Sequence, residues 1–233
     1  MILPPPSYEL IQTQIMAAQS CGDVSANIRE QIGRLSRFLE DLCGQVVPEK
    51  APDFSDIDCM LSDAVDRAIM LSRLRIVRGY GMWSLVDSKW TGDLAGWIGE
   101  RKCLEVMSGA GWLAKALSEH GVRVIATDFD ASGRWGGQSK VHPVELLDAL
   151  TAISRYPDVE VLLVSWPPYN NPVIEQVAKK WGAKRPIAYI GEACGGCTAT
   201  EVFCKHFSVS EKLTIPRWPG IHDEVMLGHY LAH

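Results

Sequence analysis

Four residues within one short stretch have the types and spacing for nucleotide chemistry: Glu105, Gly109, Gly111 and Asp128, in CLEVMSGAGWLAKALSEHGVRVIATDFD, residues 103–130. Gly109-x-Gly111 breaks a regular pattern, and two glycines let a backbone turn sharply and approach a ligand with no Cβ in the way. The spacing Gly109-x-Gly111-x-x-Ala114, with an acid further on at Asp128, fits the dinucleotide fingerprint. Glu105, four residues before Gly109, has no role in that fingerprint.

The elements around these residues are legible. Leu104, Val106 and Met107 form a short apolar run, as a buried parallel strand does. Leu113, Ala116 and Leu117 fall on one face of a helix over 112–120, and Gly121 stands at its C-terminal end. Val122, Val124 and Ile125 begin a second strand that Asp128 ends. A strand feeding a helix N-terminus through glycines is a nucleotide-binding half-site.

A second informative stretch is DVEVLLVSWPPY, residues 158–169. A buried strand ends at Ser165, and Trp166-Pro167-Pro168-Tyr169 follows. Two prolines offer no N–H to continue a ladder, so the chain must leave the sheet there. Another strand, 187–190, runs into Gly191-Glu192 and the loop ACGGCT. Cys194-x-x-Cys197, with Cys204 and His206 downstream, raises a zinc site, but a domain with a core of its own does not need one, and none is assigned. Near the end, Leu213–Trp218 and Val225–Leu231 read as two closing strands around the turn PGIHD, residues 219–223, in which Asp223 reads as a cap.

Before the glycine stretch the chain is helical. Apolar periodicity predicts helices over 8–19, 24–42 and 55–77, with Pro48–Pro52 as a linker. GYGMWS, residues 79–84, ends that region, and Asp87 or Ser88 starts a helix through Leu94 and Ile98. After Asp128 comes a glycine-rich loop; Val144-Glu145 reads as a third strand end and 146–153 as a helix. Helices follow over 172–181 and 202–207.

With Glu105 before the glycines, the stretch resembles motif I of the class I S-adenosylmethionine methyltransferases, acid-x-Gly-x-Gly-x-Gly. Met107 stands where that family has its first glycine. LEVMSGAGWLAKAL, LLVSWPPY, YIGEACGGCTA and WPGIHD, in that order, resemble an incompletely characterised methyltransferase-like group. The resemblance implies an α/β, Rossmann-like sheet, mostly parallel with an antiparallel last strand and helices on both faces, over residues 79–233. Residues 1–78 are a helical extension outside it. It implies S-adenosylmethionine as cofactor, with Glu105, Met107, Gly109 and Gly111 at its methionine end, Asp128 on its ribose, and Phe129 and Glu145 toward its adenine. Asp130 and Trp135 would border the adenosine. Trp83, Ser165 and Trp166 complete the cofactor set. W-P-P-Y resembles the tetrapeptide of nucleobase amino methyltransferases, although an indole cannot accept a hydrogen bond from an amine.

Methyl transfer from a sulfonium needs alignment above all, and a base only if the acceptor must lose a proton. Tyr169, Glu192 and His222 are the candidates, with Glu192 first because it directly follows a buried strand. The expected activity is methyl transfer to an N or O acceptor of a small molecule or nucleotide-like substrate. Two other readings stand beside it: an NAD(P)-dependent oxidoreductase, which leaves Glu105 without a role, and a non-catalytic scaffold of the same fold.

The composition fits this frame. At 233 residues the chain can bury a full core. A net charge of -5 disfavours a nucleic-acid partner. Lys179, Lys180, Lys184 and Arg185 read as a solvated basic face rather than a phosphate edge. No apolar run approaches a membrane span, so no membrane partner is expected. Seven scattered cysteines suit a reducing cytoplasm. The N-terminal helices could cap the site, recognise substrate or form a homo-oligomer face.

Overall fold

The computed structural model describes residues 6–22, 24–57, 61–130, 140–192 and 196–231. Seven strands form one sheet in the order β3-β2-β1-β4-β5-β7-β6. They are β1 (Cys103–Val106), β2 (Val124–Asp128), β3 (Val144–Leu146), β4 (Val161–Ser165), β5 (Ile187–Gly191), β6 (Phe207–Thr214) and β7 (Glu224–Tyr230). The first five are parallel neighbours, and β7 runs antiparallel to both β5 and β6. This is the α/β, Rossmann-like sheet, mostly parallel with an antiparallel last strand, that the sequence leads one to expect.

Eight helices surround it among the described residues: α1 (Tyr8–Gln19), α2 (Ala26–Cys43), α3 (Asp63–Tyr80), α4 (Ser88–Ile98), α5 (Trp112–Glu119), α6 (Ala149–Arg155), α7 (Val173–Trp181) and α8 (Glu201–His206). The strands bury both faces because successive side chains point to opposite sides. Cys103, Val161, Leu163, Ala188 and Ile190 join one core with residues of α1–α5. Leu104, Val106, Leu162, Val164 and Tyr189 join a second core with residues of α6–α8. The N-terminal helices therefore share a core with the sheet: Ile11, Leu35 and Ile76 belong to the same cluster as Val161 and Ile190.

Local chemistry explains most element ends. Ser7, Ser25, Asp87, Asp148 and Thr200 each accept a hydrogen bond from an N–H of the helix they begin. Several boundaries differ from the sequence reading. α3 begins at Asp63 behind Ser62 rather than at residue 55. β6 spans Phe207–Thr214 rather than 213–218: Ser208 to Lys212 are exposed on an edge strand and carry no apolar alternation. Ile215 and Trp218 are buried in the loop after it. Leu146 belongs to β3, and α6 starts only at Ala149. No helix among the described residues is long and apolar enough to cross a membrane.

Candidate functional site

The carboxyl ends of the parallel strands carry two clusters. The first surrounds the glycine loop. β1 ends at Val106, and Met107 adopts φ 58°, a left-handed conformation that would suit the glycine the motif has there. Gly109 (φ 57°) and Gly111 (φ 86°) complete the turn into α5. The backbone N–H of Gly109 donates to Asp128 Oδ2 at 2.9 Å, and Asp130 N–H donates to Oδ1 at 2.8 Å. The β2 acid thus ties the two loops together, and each of its oxygens retains a further lone pair.

Gly111 serves the protein itself. A Cβ there would stand 3.0 Å from both His142 Cβ and Val144 Cγ2. Residues 140–144 cross the loop at this point: Lys140 Nζ donates to Gly109 O at 2.6 Å and Val141 N–H to Ala110 O at 3.0 Å. Ligand approach is left to the Gly109 side, where a Cβ would meet only Gly81 O at 3.4 Å. On the amino-terminal side Gly81 packs on Ala110, and Trp112 Nε1–H donates to Tyr80 O at 2.7 Å, so the end of α3 is fixed against the loop.

Glu105 is 1% exposed. Its carboxylate accepts from Ala114 N–H, in the first turn of α5, whose N-cap is a glycine without a side chain. Oε2 has no hydrogen-bond partner. Burial pushes this acid up to about 8; the Ala114 bond opposes the shift and the Asp128 charge adds to it.

The second cluster lies toward β4, β5 and β7. Trp83 and Trp166 stack with ring centroids 5.5 Å apart and planes 28° from parallel. Trp166 adopts φ 49° as the chain leaves β4, and its Nε1–H donates to Asp223 Oδ2 at 3.0 Å. Glu192, 8% exposed, follows β5 and accepts at both oxygens. Oε2 takes Cys197 N–H at 2.9 Å, and Oε1 takes His222 N–H at 2.9 Å and faces His222 Nδ1 at 3.1 Å. Burial acts to raise the Glu192 acid, but the bonds from Cys197 and His222 outweigh it and hold the carboxyl below its ordinary value. Gly196 makes this fold-back feasible, since a Cβ there would lie 2.6 Å from Glu192 Cδ. Thr198 pins the same loop, donating to Glu192 O at 2.6 Å and meeting Tyr189 Oη at 2.6 Å.

The sequence reading missed Asp223 as a site residue. It is 1% exposed, and Oδ1 has no hydrogen-bond partner. Ser84 lies close enough to lower its pKa, yet neither Ser84 Oγ nor Asp223 Oδ1 completes a hydrogen bond of proper geometry. Burial pushes the acid up to about 6; Glu192 adds to this, whereas the Trp166 bond and Arg73 of α3 oppose it. The signal was in the topology: β7 is antiparallel to β5 with Gly191 opposite Glu224, so the residues just before β7 must stand beside the end of β5.

The remaining candidates are scattered. Tyr169 is 67% exposed, and no hydrogen bond among the described residues joins it to Glu192 or His222. Phe129 is exposed at the end of β2. Glu145 accepts from Tyr156 Oη and pairs with Arg155 at 3.2 Å. Ser165 is the last residue of β4, partly buried. Trp135, Cys194 and the glycines of 131–139 lie outside the described residues. Among the described residues no three His, Cys, Asp or Glu side chains are grouped to hold a metal ion. Arg185 lies over Trp181 at 3.7 Å and donates to Trp181 O, a structural role within the basic group.

No family model matches the sequence, and no curated protein matches it. Solved structures of similar fold include magnesium protoporphyrin IX methyltransferase from Synechocystis PCC 6803 with bound SAM, at 10% identity, 61% of this chain, 79% of that chain and a TM-score of 0.41. Another is 1,6-didemethyltoxoflavin-N1-methyltransferase from Burkholderia thailandensis, at 15% identity, 62% of this chain, 78% of that chain and a TM-score of 0.40. A mutant of MtNAS aligns with 96% of this chain and 71% of that chain, at 11% identity and a TM-score of 0.46.

Proposed function

We propose that this chain is a methyltransferase that uses S-adenosylmethionine to methylate an N or O acceptor of a small molecule or nucleotide-like substrate. The observation that carries this reading is the pairing of Asp128 with the Gly109 N–H on the same sheet edge as the Trp166–Asp223 and Glu192–His222 pairs. A sulfonium cofactor and its acceptor need such adjoining sites.

The residues fit the cofactor. Gly109 leaves open backbone, Asp128 keeps lone pairs for two ribose hydroxyls, and the buried Glu105 Oε2 lacks a partner. When bound, the cofactor supplies an electrophilic methyl group. Asp128 and the Gly109 loop hold its nucleoside; Trp83 and Trp166 close the acceptor side; Asp223 and Glu192 provide carboxylates where an acceptor would lose a proton. Asp223, up at about 6, is mostly ionised at neutral pH and still basic enough to take a proton. Glu192 is engaged by Cys197 and His222 and serves better to orient His222.

Residues 1–78 are read as a helical extension, and the end of α3 just beyond it, Tyr80 and Gly81, meets the glycine loop. The exposed Leu10, Met16 and Met70 support a further use of its outer surface in self-association. Among the described residues, Cys21, Cys43, Cys103 and Cys197 are thiols outside any disulfide, which supports a reducing compartment, the cytoplasm.

The test is calorimetric titration with S-adenosylhomocysteine, NADH and NADPH, with Asp128→Ala as control. Binding of S-adenosylhomocysteine alone, weakened at least ~30-fold by the loss of charge-assisted hydrogen bonds, is the expected result. Binding of a nicotinamide nucleotide instead overturns the reading in favour of an oxidoreductase. Binding of none overturns it in favour of a scaffold.

A further inference from the structure

The wall made by Trp83, Trp166, Glu192, His222 and Asp223 holds an unmet acceptor at its buried centre. The N–H donors that reach its two carboxylates are spent on the other oxygens: Trp166 Nε1–H on Asp223 Oδ2, and the backbone N–H groups of Cys197 and His222 on Glu192. What is left over is an acceptor, Asp223 Oδ1, on a side chain 1% exposed. Ser84 Oγ beside it, 2% exposed and also without a partner, can act either way. An unmet buried acceptor costs about 1–3 kcal/mol, and more when charged, which a ligand donor at this position would relieve.

Charge points the same way. The groups acting on Asp223 are Glu192, of like charge, and Arg73 of α3, of opposite charge; His222 sits on Glu192. Two carboxylates face one guanidinium. A carboxylate ligand would add a third negative charge, whereas an ammonium balances the second. The stacked, partly exposed indoles of Trp83 and Trp166 add a surface that attracts cations.

We propose that the methyl acceptor is a basic amine, bound as its ammonium ion by Asp223 Oδ1 against the Trp83–Trp166 pair and deprotonated there by Asp223. This rests on the methyltransferase reading and narrows its acceptor. The ammonium gives one proton to the Asp223 carboxylate, which becomes a carboxylic acid. The freed nitrogen lone pair forms the new C–N bond as the methyl–sulfur bond of S-adenosylmethionine breaks, its electron pair staying on sulfur. The products are S-adenosylhomocysteine and the N-methylammonium ion, and Asp223 returns its proton to solvent when they leave.

The test compares three probes of similar size, 2-phenylethylamine, phenylacetate and 2-phenylethanol, titrated calorimetrically into protein saturated with S-adenosylhomocysteine. The amine should bind at least ten-fold more tightly than the other two. Asp223→Asn should remove that preference while S-adenosylhomocysteine affinity and the melting temperature of its complex hold. Should Asp223→Asn not fold, Trp83→Leu, which removes the indole face, should weaken the amine several-fold and spare the alcohol. Equal or tighter binding of phenylacetate or phenylethanol, no binding of any probe, or an amine preference that survives Asp223→Asn overturns the proposal and leaves the methyltransferase reading standing. Failure to bind S-adenosylhomocysteine at all defeats that reading and the proposal with it.

Discussion

The two halves of the sheet edge are built in opposite ways. The glycine side is made of one contiguous stretch, Cys103 to Asp128, and its working groups are largely backbone: the Gly109 N–H, the left-handed turn at 107–111 and the first turn of α5. The side facing β4, β5 and β7 is assembled from four distant segments, around residues 83, 166, 192 and 222, and works through side chains. Backbone shape can recognise a constant ligand and is set locally. Side-chain chemistry can be changed one residue at a time without disturbing the strands that carry it, which is how one fold comes to host many acceptors.

The largest effect expected from breaking this contrast lies at Glu105, the most deeply buried carboxyl of the glycine side. Its folded pKa of about 8 lies above the ordinary 4.5, so the folded state holds a proton that the unfolded chain releases. Its stabilising contribution is complete below about pH 4.5 and is lost as pH rises through about 8. Glu105→Gln, which keeps an acceptor for Ala114 N–H, should abolish this term. At pH 9 the variant should gain several kcal/mol on wild type relative to their difference at pH 4.5, at ~1.4 kcal/mol per pKa unit. Urea unfolding across that range measures it, and parallel curves for the two proteins would refute it.

Gly111→Ala sharpens the claim that this side is backbone-made. The added Cβ meets His142 and Val144 at 3.0 Å, at φ 86°. A left-handed alanine costs about 1–2 kcal/mol and overpacking about 1–3. A loss of ~2–4 kcal/mol in urea unfolding, with weakened S-adenosylhomocysteine binding, is expected.

On the other side, Trp166→Phe keeps an aromatic ring and removes one donor. Asp223 loses the bond that lowers its pKa, so the midpoint of the turnover–pH profile should move up from about 6 by up to one unit. S-adenosylhomocysteine affinity should change less than ~3-fold, a small loss against the ~30-fold expected of a polar cofactor contact. A larger loss would assign Trp166 to the cofactor, as the sequence resemblance has it, and erase the division drawn here.

The smallest effect is expected at Met107→Gly. Relief of φ 58° gains about 1–2 kcal/mol. The lost Met107 packing against the second core and the entropy of glycine offset most of it. Net stability should stay within ~1 kcal/mol by urea unfolding.

Much of this fold was legible because its determinants are local. Short apolar runs bounded by glycine or proline gave β1, β2, β4 and β5, and Gly109, Gly111 and Asp128 stand together at the loop where their spacing puts them. β6 was misplaced because an edge strand exposed at Ser208–Lys212 has no face to bury and so no alternation to read. The partner of Trp166 was hidden for a different reason. An indole after β4 and an acid before β7 are 57 residues apart, and they meet only through the antiparallel pairing of β5 with β7. The same pairing brings His222 onto Glu192.

The chain by itself therefore determined the order of elements and the shape of the glycine turn, since glycine, proline and apolar periodicity act over a few residues. Tertiary structure alone decided that Glu105 is buried beneath α5, that residues 140–144 cross the glycine loop, and that Asp223 has one oxygen bound and one unmet. Burial and hydrogen-bond partnership are properties of what packs around a group, and here those neighbours come from strands and loops far away in sequence.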